Sequence, residues 1–348
     1  MVQMTPPPAR PLDVICVGEA LVDLLPMAAG QKVRDVEAWR QCPGGAPSNV
    51  AIGLARLGAR CALNGVVGED EFGHFLQARL AEEGVEVSHL RMTPEGRTGL
   101  SFVSLTHDGE RSFTFYRSDA AEEFFCDKDV DPEFIDRTRI VHFGLNSMRR
   151  PAAQEAVIAL MDAAVAAGRI VSCDPNLRLH LWEQPGALKA LLDAVLPRCT
   201  VVKMSSDETA FVLGTSDPER ALRELSDRGV ALPVISCGAG GARFLWGGKV
   251  YSVPAPSSAV LDTTGAGDGF SAGLLYGLSR LCADATGLRG LEAGQLEVVA
   301  ALGCRVGSHV VERLGAVGGL PSRERLVGWP EWLGFASERA LRGARLKT

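Results

Sequence analysis

A three-layer α/β sandwich with a mostly parallel central sheet is the fold this sequence predicts. Short apolar runs of β-formers alternate with segments whose apolar residues recur at helical spacing. The connections between them are short, and glycine closes several of the helical stretches. Alternation of this kind builds a parallel sheet covered by helices on both faces.

In chain order, Val14–Gly18 is a buried strand in outline, and Asn49–Leu57 is a helix stopped by Gly58. Cys61–Val67 reads as a strand, and Glu71–Glu83 as a helix closed by Gly84. Ile140–Phe143 and Ile170–Cys173 read as strands flanking an alanine-rich helix over 152–167; Val201–Met204 and Val234–Ser236 continue the series. Two segments break the rhythm. Thr98–Leu105 and Ser112–Tyr116 form an expected antiparallel pair around His107-Asp108-Gly109-Glu110, because Asp-Gly between β-rich runs signals a hairpin. A hairpin has no place inside a doubly wound core, so it is expected to project as a small β lid. The lid segments are placed at about 97–118 and 25–42 of a single domain spanning 1–348, since no repeat or long linker interrupts the chain. The arginine-rich, amphipathic C-terminal stretch reads as a packing helix.

With 46% hydrophobic and 22% charged residues, the 348-residue chain has the balance of a folded globular protein. A net charge of -6 provides no basic surface for a nucleic acid backbone, which points to a small-molecule partner and not to nucleic acid. The nine cysteines are scattered, odd in number and without a C-x-x-C pair, so reduced thiols inside a cell are expected. Met1–Pro11 is proline-rich with no apolar core run, and no stretch approaches a membrane span. A cytoplasmic protein without a membrane partner is expected.

Asp262-Thr263-Thr264-Gly265-Ala266-Gly267-Asp268-Gly269-Phe270 carries the most information. Small residues just before a helix leave backbone N–H groups exposed at the positive end of its dipole, a site for an anion such as a transferring phosphoryl group. Asp268 beside it would repel that anion, and makes sense as a base for an attacking hydroxyl. Read alone, the turn also allows Asp268 to be a helix N-cap and the glycines to serve packing. Upstream, Pro43-Gly44-Gly45-Ala46-Pro47-Ser48-Asn49-Val50-Ala51 is a second glycine turn, in which an amide can both donate to and accept from a diol. Asn49 alone also fits a helix cap.

The first nonapeptide resembles the C-terminal signature of the ribokinase-like (PfkB) carbohydrate kinases. The second, with Gly58 and Gly68 following, resembles that family's first signature. The likeness extends over roughly residues 13 to 321, and it implies a ribokinase-like sandwich that transfers phosphate from ATP to a sugar with Mg²⁺. By this resemblance Asp268 is the catalytic base, and amides of Gly265, Ala266 and Gly267 take up developing charge. Asp23, in Gly18-Glu19-Ala20-Leu21-Val22-Asp23, with Gly44, Gly45 and Asn49, holds sugar hydroxyls. Asn146, in His142-Phe143-Gly144-Leu145-Asn146-Ser147, belongs to the same pocket, as do Arg97 and Arg117, the latter in the lid segment Phe115-Tyr116-Arg117.

The chain lacks G-x-x-x-x-G-K-[ST], so ATP is not held by a P-loop. Ser205-Ser206-Asp207-Glu208 is similar to the family's N-x-x-E segment, with Glu208 holding Mg²⁺ through water. Ser236-Cys237-Gly238-Ala239-Gly240-Gly241 resembles the segment under the ATP phosphates, so Ser205, Ser236, Gly238, Gly241, Gly267 and Asn176 are ATP-binding candidates. Lys203, one strand away, either faces phosphate or is solvated. Asp262 and Thr264 align with a K⁺ site, although Arg305 departs from the small-residue pattern of its second loop; Gly315-Ala316 matches the later Gly-Ala.

The alanine-proline spelling at Ala46-Pro47, Asp174-Pro175-Asn176-Leu177-Arg178 with Trp182, and the His142–Ser147 segment lean toward fructokinases. The rival, 2-keto-3-deoxygluconate kinase, shares the Tyr-Arg and Asp-Pro-Asn-x-Arg motifs and would turn Arg97 or Arg117 to a carboxylate. Arg97 equally fits a turn, and Arg178 a structural pair with Asp174. A catalytically silent sugar-binding regulator would lack the aspartate of the glycine turn. A nicotinamide oxidoreductase would need G-x-G-x-x-G after the first strand, which Val17-Gly18-Glu19-Ala20 does not supply. Relatives often pair through lid strands, which makes the lid the place for a homodimer, while the sequence leaves the oligomeric state open.

Overall fold

The computed structural model describes residues 11–27, 30–105, 111–182 and 185–326. Its strands are β1 Leu12–Val17, β2 Leu21–Pro26, β3 Trp39–Gly44, β4 Cys61–Gly68, β5 Leu90–Thr93, β6 Leu100–Leu105 and β7 Arg111–Tyr116. There follow β8 Thr138–Phe143, β9 Ile170–Cys173, β10 Val201–Ser205, β11 Leu232–Ser236, β12 Ala242–Trp246 and β13 Lys249–Val253. The larger sheet has nine strands in the order β13-β12-β11-β10-β9-β8-β1-β4-β5. From β11 across to β5 every pairing is parallel, while β11, β12 and β13 pair antiparallel at one edge.

Continuous apolar runs become the inner strands, since a strand covered on both faces has no polar side to show. All six residues of β1 are buried, and Val14 to Val17 alternate between two cores. Val14 and Cys16 pack with Leu54, Leu274 and Val299 on the helices Ala46–Arg56, Ala266–Leu281 and Ala293–Val310. Ile15 and Val17 pack with Leu160, Leu191 and Leu222 on Pro151–Ala166, Pro185–Val195 and Pro218–Asp227. These are the three layers expected.

The smaller sheet has the order β3-β2-β6-β7. β2 pairs antiparallel with β3 and parallel with β6, and β6 pairs antiparallel with β7 from Leu100↔Tyr116 to Leu105↔Arg111. Trp39, Phe102 and Tyr116 meet edge to face across it, with ring centroids 5.2 and 5.3 Å apart. The smaller sheet begins at Leu21, upstream of the 25–42 stretch. The turn over His107–Glu110 and most of the C-terminal stretch lie outside the described residues.

Some elements depart from expectation. The helix placed at Asn49 begins at Ala46, because Gly45 ends the extended chain and Pro47 suits a first helical turn. β5, β12 and β13 were not expected. The last two form a hairpin whose Gly247-Gly248 turn, with φ of 54° and 76°, joins Trp246 to Lys249. Two left-handed residues are what a type I′ turn needs, so that Gly-Gly was a readable signal. All nine cysteines are free thiols, and no described helix is long and apolar enough to cross a membrane.

The helix Ala266–Leu281 crosses Ala293–Val310 so closely that a Cβ at Gly273 would lie 2.9 Å from the Gly303 Cα. Gly273→Ala is therefore expected to lower the thermal unfolding midpoint, at the ~1–3 kcal/mol typical of overpacking; an unchanged melt would contradict so tight a crossing.

Candidate active site

Asn146, Asn176, Ser205, Ser236 and Gly238 lie at or just past the C-terminal ends of parallel strands, and Asn49, Glu208 and Asp268 in the first turns of helices. Asp23, Gly44, Arg97 and Arg117 lie on or beside the smaller sheet. The C-terminal edge of the parallel strands is where open α/β sheets gather ligands. Gly265 is the N-cap of Ala266–Leu281, with φ of 78°, and a Cβ there would run into Ala316. A glycine is required on both counts. The Ala266 N–H is already taken, at 3.2 Å, by the Thr263 carbonyl. Gly267 and Asp268 follow among the first-turn N–H groups that a helix leaves without an intrahelical acceptor.

Asp268 is the third helical residue, so the N-cap reading does not hold. The residue is buried, 7% exposed. Asn49 Nδ2 donates to Oδ2 at 2.8 Å, and Asn176 Nδ2 donates to Oδ1 at 3.3 Å. Two amides, each on its own oxygen, orient the group. Burial pushes its pKa up to about 6 against the pull of Asn49; Asp174 adds to the rise, and Lys203 and Arg178 oppose it. Asn49 lies inside its helix and does not cap it.

Asn176 holds its amide there from a left-handed backbone, φ 45°, one of two non-glycine residues with positive φ among those described. Strain of this kind collects at functional sites. The Asn176 carbonyl accepts from Asn146 Nδ2 at 2.9 Å, so Asn146 braces the loop that orients Asp268. Arg178 donates to the carbonyls of Asn176 and Leu177 at 3.4 and 3.2 Å. It is not the partner of Asp174, whose Oδ2 binds Lys203 Nζ at 2.8 Å and Ser271 Oγ at 3.0 Å.

On the side of the smaller sheet, Asp23 sits opposite Cys42, and its carboxylate occupies the space over Gly44 where a side chain would stand. Gly44 and Gly45 lead directly into the helix that carries Asn49, so Asp23, both glycines, Asn49 and Asp268 form one contiguous wall. Arg117, just after β7, is buried and donates to Glu122 Oε1 at 2.8 Å. Glu19, also buried, is raised in pKa by burial and drawn back by Arg117. Arg97 is exposed, and its backbone bridges to Ala120 and Ala121 at the base of the smaller sheet.

On the other side, Glu208 closes a capping box: Oε2 accepts from the N–H and Oγ of Ser205, both at 2.8 Å, while Oε1 accepts from Leu177 N at 2.7 Å. It thereby ties the Asn176 loop to β10. Ser236 stands beside Ser205 in register, and Gly238 and Gly241 bound the short 3₁₀ turn after it. Asp262 accepts from Thr264 N at 2.8 Å and Gly315 N at 2.5 Å, joining the glycine turn to the Gly315-Ala316 turn. Next to this loop lies a cleft of about 330 Å³ lined by Pro256, Ser257, Ser258, Arg305, Ser308, His309 and Glu312.

A model of the pfkB family carbohydrate kinases matches residues 12–323. The chain belongs to this family. It is a carbohydrate kinase, a phosphotransferase with an alcohol acceptor. A fructokinase of Klebsiella pneumoniae is 37% identical over 264 residues, 76% of this chain and 83% of that one. Among solved structures, a Xylella fastidiosa fructokinase with bound ATP superposes with a TM-score of 0.83 at 33% identity, covering 94% of this chain and 99% of its own. A Vibrio cholerae fructokinase in its fructose-, ADP- and calcium-bound form gives 0.82 at 33% identity, over 92% of this chain and 99% of that one.

Within this kinase fold, sequence reasoning passed over Ser271 and the cleft beside the Asp262 loop. Ser271 is one helical turn beyond Asp268 and could have been sought by that spacing. The cleft unites two stretches about 50 residues apart, a proximity that no local pattern carries. A carboxylate accepts a proton only when ionised, so if Asp268 is the base, kcat/KM is expected to climb with pH through about 6 and level off above it. A profile flat from about pH 5 to pH 8 would remove Asp268 from that role.

Proposed function

We propose that this kinase moves the γ-phosphate of ATP to the 6-hydroxyl of fructose, with Asp268 as general base. The observation that carries the reading is a buried carboxylate, gripped by Asn49 and Asn176, in the first turn of a glycine-capped helix. That geometry sets a proton acceptor beside an anion site. Relatives described as fructokinases, one of them holding fructose and ADP, favour the substrate.

In this mechanism the hydroxyl gives its proton to Asp268 as its oxygen attacks the γ-phosphorus in line and the bond to the β,γ-bridging oxygen breaks, releasing ADP. Asn49 and Asn176 keep the receiving oxygens aimed. The first-turn amides at Gly265 and Gly267 take up charge on the phosphoryl oxygens. Asp23, with the open backbone of Gly44 and Gly45, receives the other sugar hydroxyls, and closure of the smaller sheet keeps water out. The cleft of Pro256–Ser258, Arg305 and His309 accommodates the nucleotide beyond its phosphates, because it adjoins the loop that feeds the glycine turn.

Glu208 suits a hydrated Mg²⁺: three hydrogen bonds leave a carboxylate with about four acceptor sites one more for a water ligand. Magnesium bound there supplies neutralisation of the phosphate charge. The buried Asp262 carboxylate and the Thr264 turn offer the oxygen donors that K⁺ prefers. The aromatic ladder of the smaller sheet, ending in the exposed Tyr116, is the face through which a second copy would pair.

The keto-acid reading needs a spare cation in the sugar pocket. Arg117 is committed to Glu122 with Glu19 near it, and Arg97 sits exposed at the base of the sheet. Both observations favour a neutral sugar.

The test is ADP release with ATP and magnesium over fructose, 2-keto-3-deoxygluconate, ribose, adenosine and inositol. Turnover on fructose is expected; turnover on the keto-acid alone would overturn the substrate and reassign an arginine. Asp268→Asn is expected to lower kcat at least about a hundredfold while sugar binding, followed by calorimetry, persists. Near-normal turnover in that variant would sink the base assignment.

A further inference from the structure

Lys203 has no part in the proton transfer above, yet it stands inside the site. It lies in the middle of β10 and is 5% exposed, in a position where lysine is rarely found unless paired. Its partner is Asp174, just past β9, whose Oδ2 at 2.8 Å also accepts from Ser271 on the catalytic helix. On its other side, a Cβ at Gly267 would come within 3.0 Å of Nζ. The ammonium is thus clamped between the loop after β9 and the helical residue directly before Asp268. Glycine at 267 makes room for it, a reason separate from the approach of phosphate.

The charges around this point come from four elements. Asp174, Glu208 and Asp268 all face Lys203 and favour its charged form against the cost of burial. His142, on β8, donates to or accepts from Ser172 at 3.1 Å and stays neutral, its pKa lowered to about 3 by burial first and Lys203 second. Asp268 in turn feels Asp174 as a like charge, Lys203 and Arg178 as opposite ones, and the amides of Asn49 and Asn176. Without Lys203, two carboxylates would confront each other with Arg178 as the remaining cation, and Arg178 is exposed and engaged with backbone carbonyls.

Building on the kinase reading above, we propose that Lys203 is a positioning residue for the phosphoryl transfer. Clamped by Asp174 and Ser271 under Gly267, it cancels the Asp174 charge, keeps Asp268 in its proton-accepting form and adds positive potential to the anion cradle. It acts through Asp268 and the first helical turn, and does not touch the sugar.

Lys203→Met keeps length and apolar volume but removes the charge. In that variant the acid limb of kcat/KM is expected to move to higher pH by about one unit, with kcat at neutral pH down ~10-fold or more and KM for sugar little changed. Asp174→Asn is expected to move the limb the opposite way, and Lys203→Met/Asp174→Asn to bring it back toward the wild type. The double variant also guards against unfolding from an uncompensated buried Asp174. A folded Lys203→Met enzyme whose limb stays in place, or a double variant whose limb is displaced like that of the single one, overturns the inference. Failure of the kinase reading shows separately, as near-normal turnover in Asp268→Asn.

Discussion

Burying a carboxylate costs several kcal/mol unless donors replace the water it loses. At Asp268 those donors are two side-chain amides brought from distant parts of the chain, Asn49 from 219 residues upstream and Asn176 from 92. Much else at the site can be read as a consequence of this arrangement. Asn176 reaches only from a left-handed backbone, Asn146 and Glu208 brace its loop, and the Ala46–Arg56 helix must pack against Ala266–Leu281 for Asn49 to arrive. The desolvation that remains raises the pKa of Asp268 to about 6, so the carboxylate is more basic than a solvated aspartate yet still ionised near neutrality, as the proposed role requires.

The same economy governs the cations. The buried cations beside the site are matched to acids: Lys203 to Asp174 and Arg117 to Glu122. An unpaired buried cation would be expensive and would attract acidic ligands. Matching them leaves the pocket wall beside Asp23 and Asn49 suited to hydroxyls, which satisfy hydrogen bonds without bringing charge.

Several local readings failed because a residue's role is set by what packs against it. Asp268 and Asn49 both looked like helix caps, but glycines cap both helices and free the two side chains to bond each other. Arg178 was a plausible partner for Asp174 by nearness in sequence; Lys203, on a neighbouring strand, holds it instead. The β12–β13 hairpin was readable in Gly247-Gly248, whereas β5, four residues at the sheet edge, is too short to show a period.

The sequence by itself determined the alternation of strands and helices, the two glycine turns and the family, since these rest on local periodicity and backbone freedom. It also held the residue types of the site: an aspartate, amides and small residues in the right order. The tertiary structure decided which of them meet. The union of Asn49, Asn176 and Asp268, the Lys203–Asp174–Ser271 clamp and the cleft next to the Asp262 loop all join segments distant along the chain. Hydrogen bonds and ion pairs act over about 3 Å, and that proximity is created by the packing of two apolar cores against one sheet, not by any spacing along the chain.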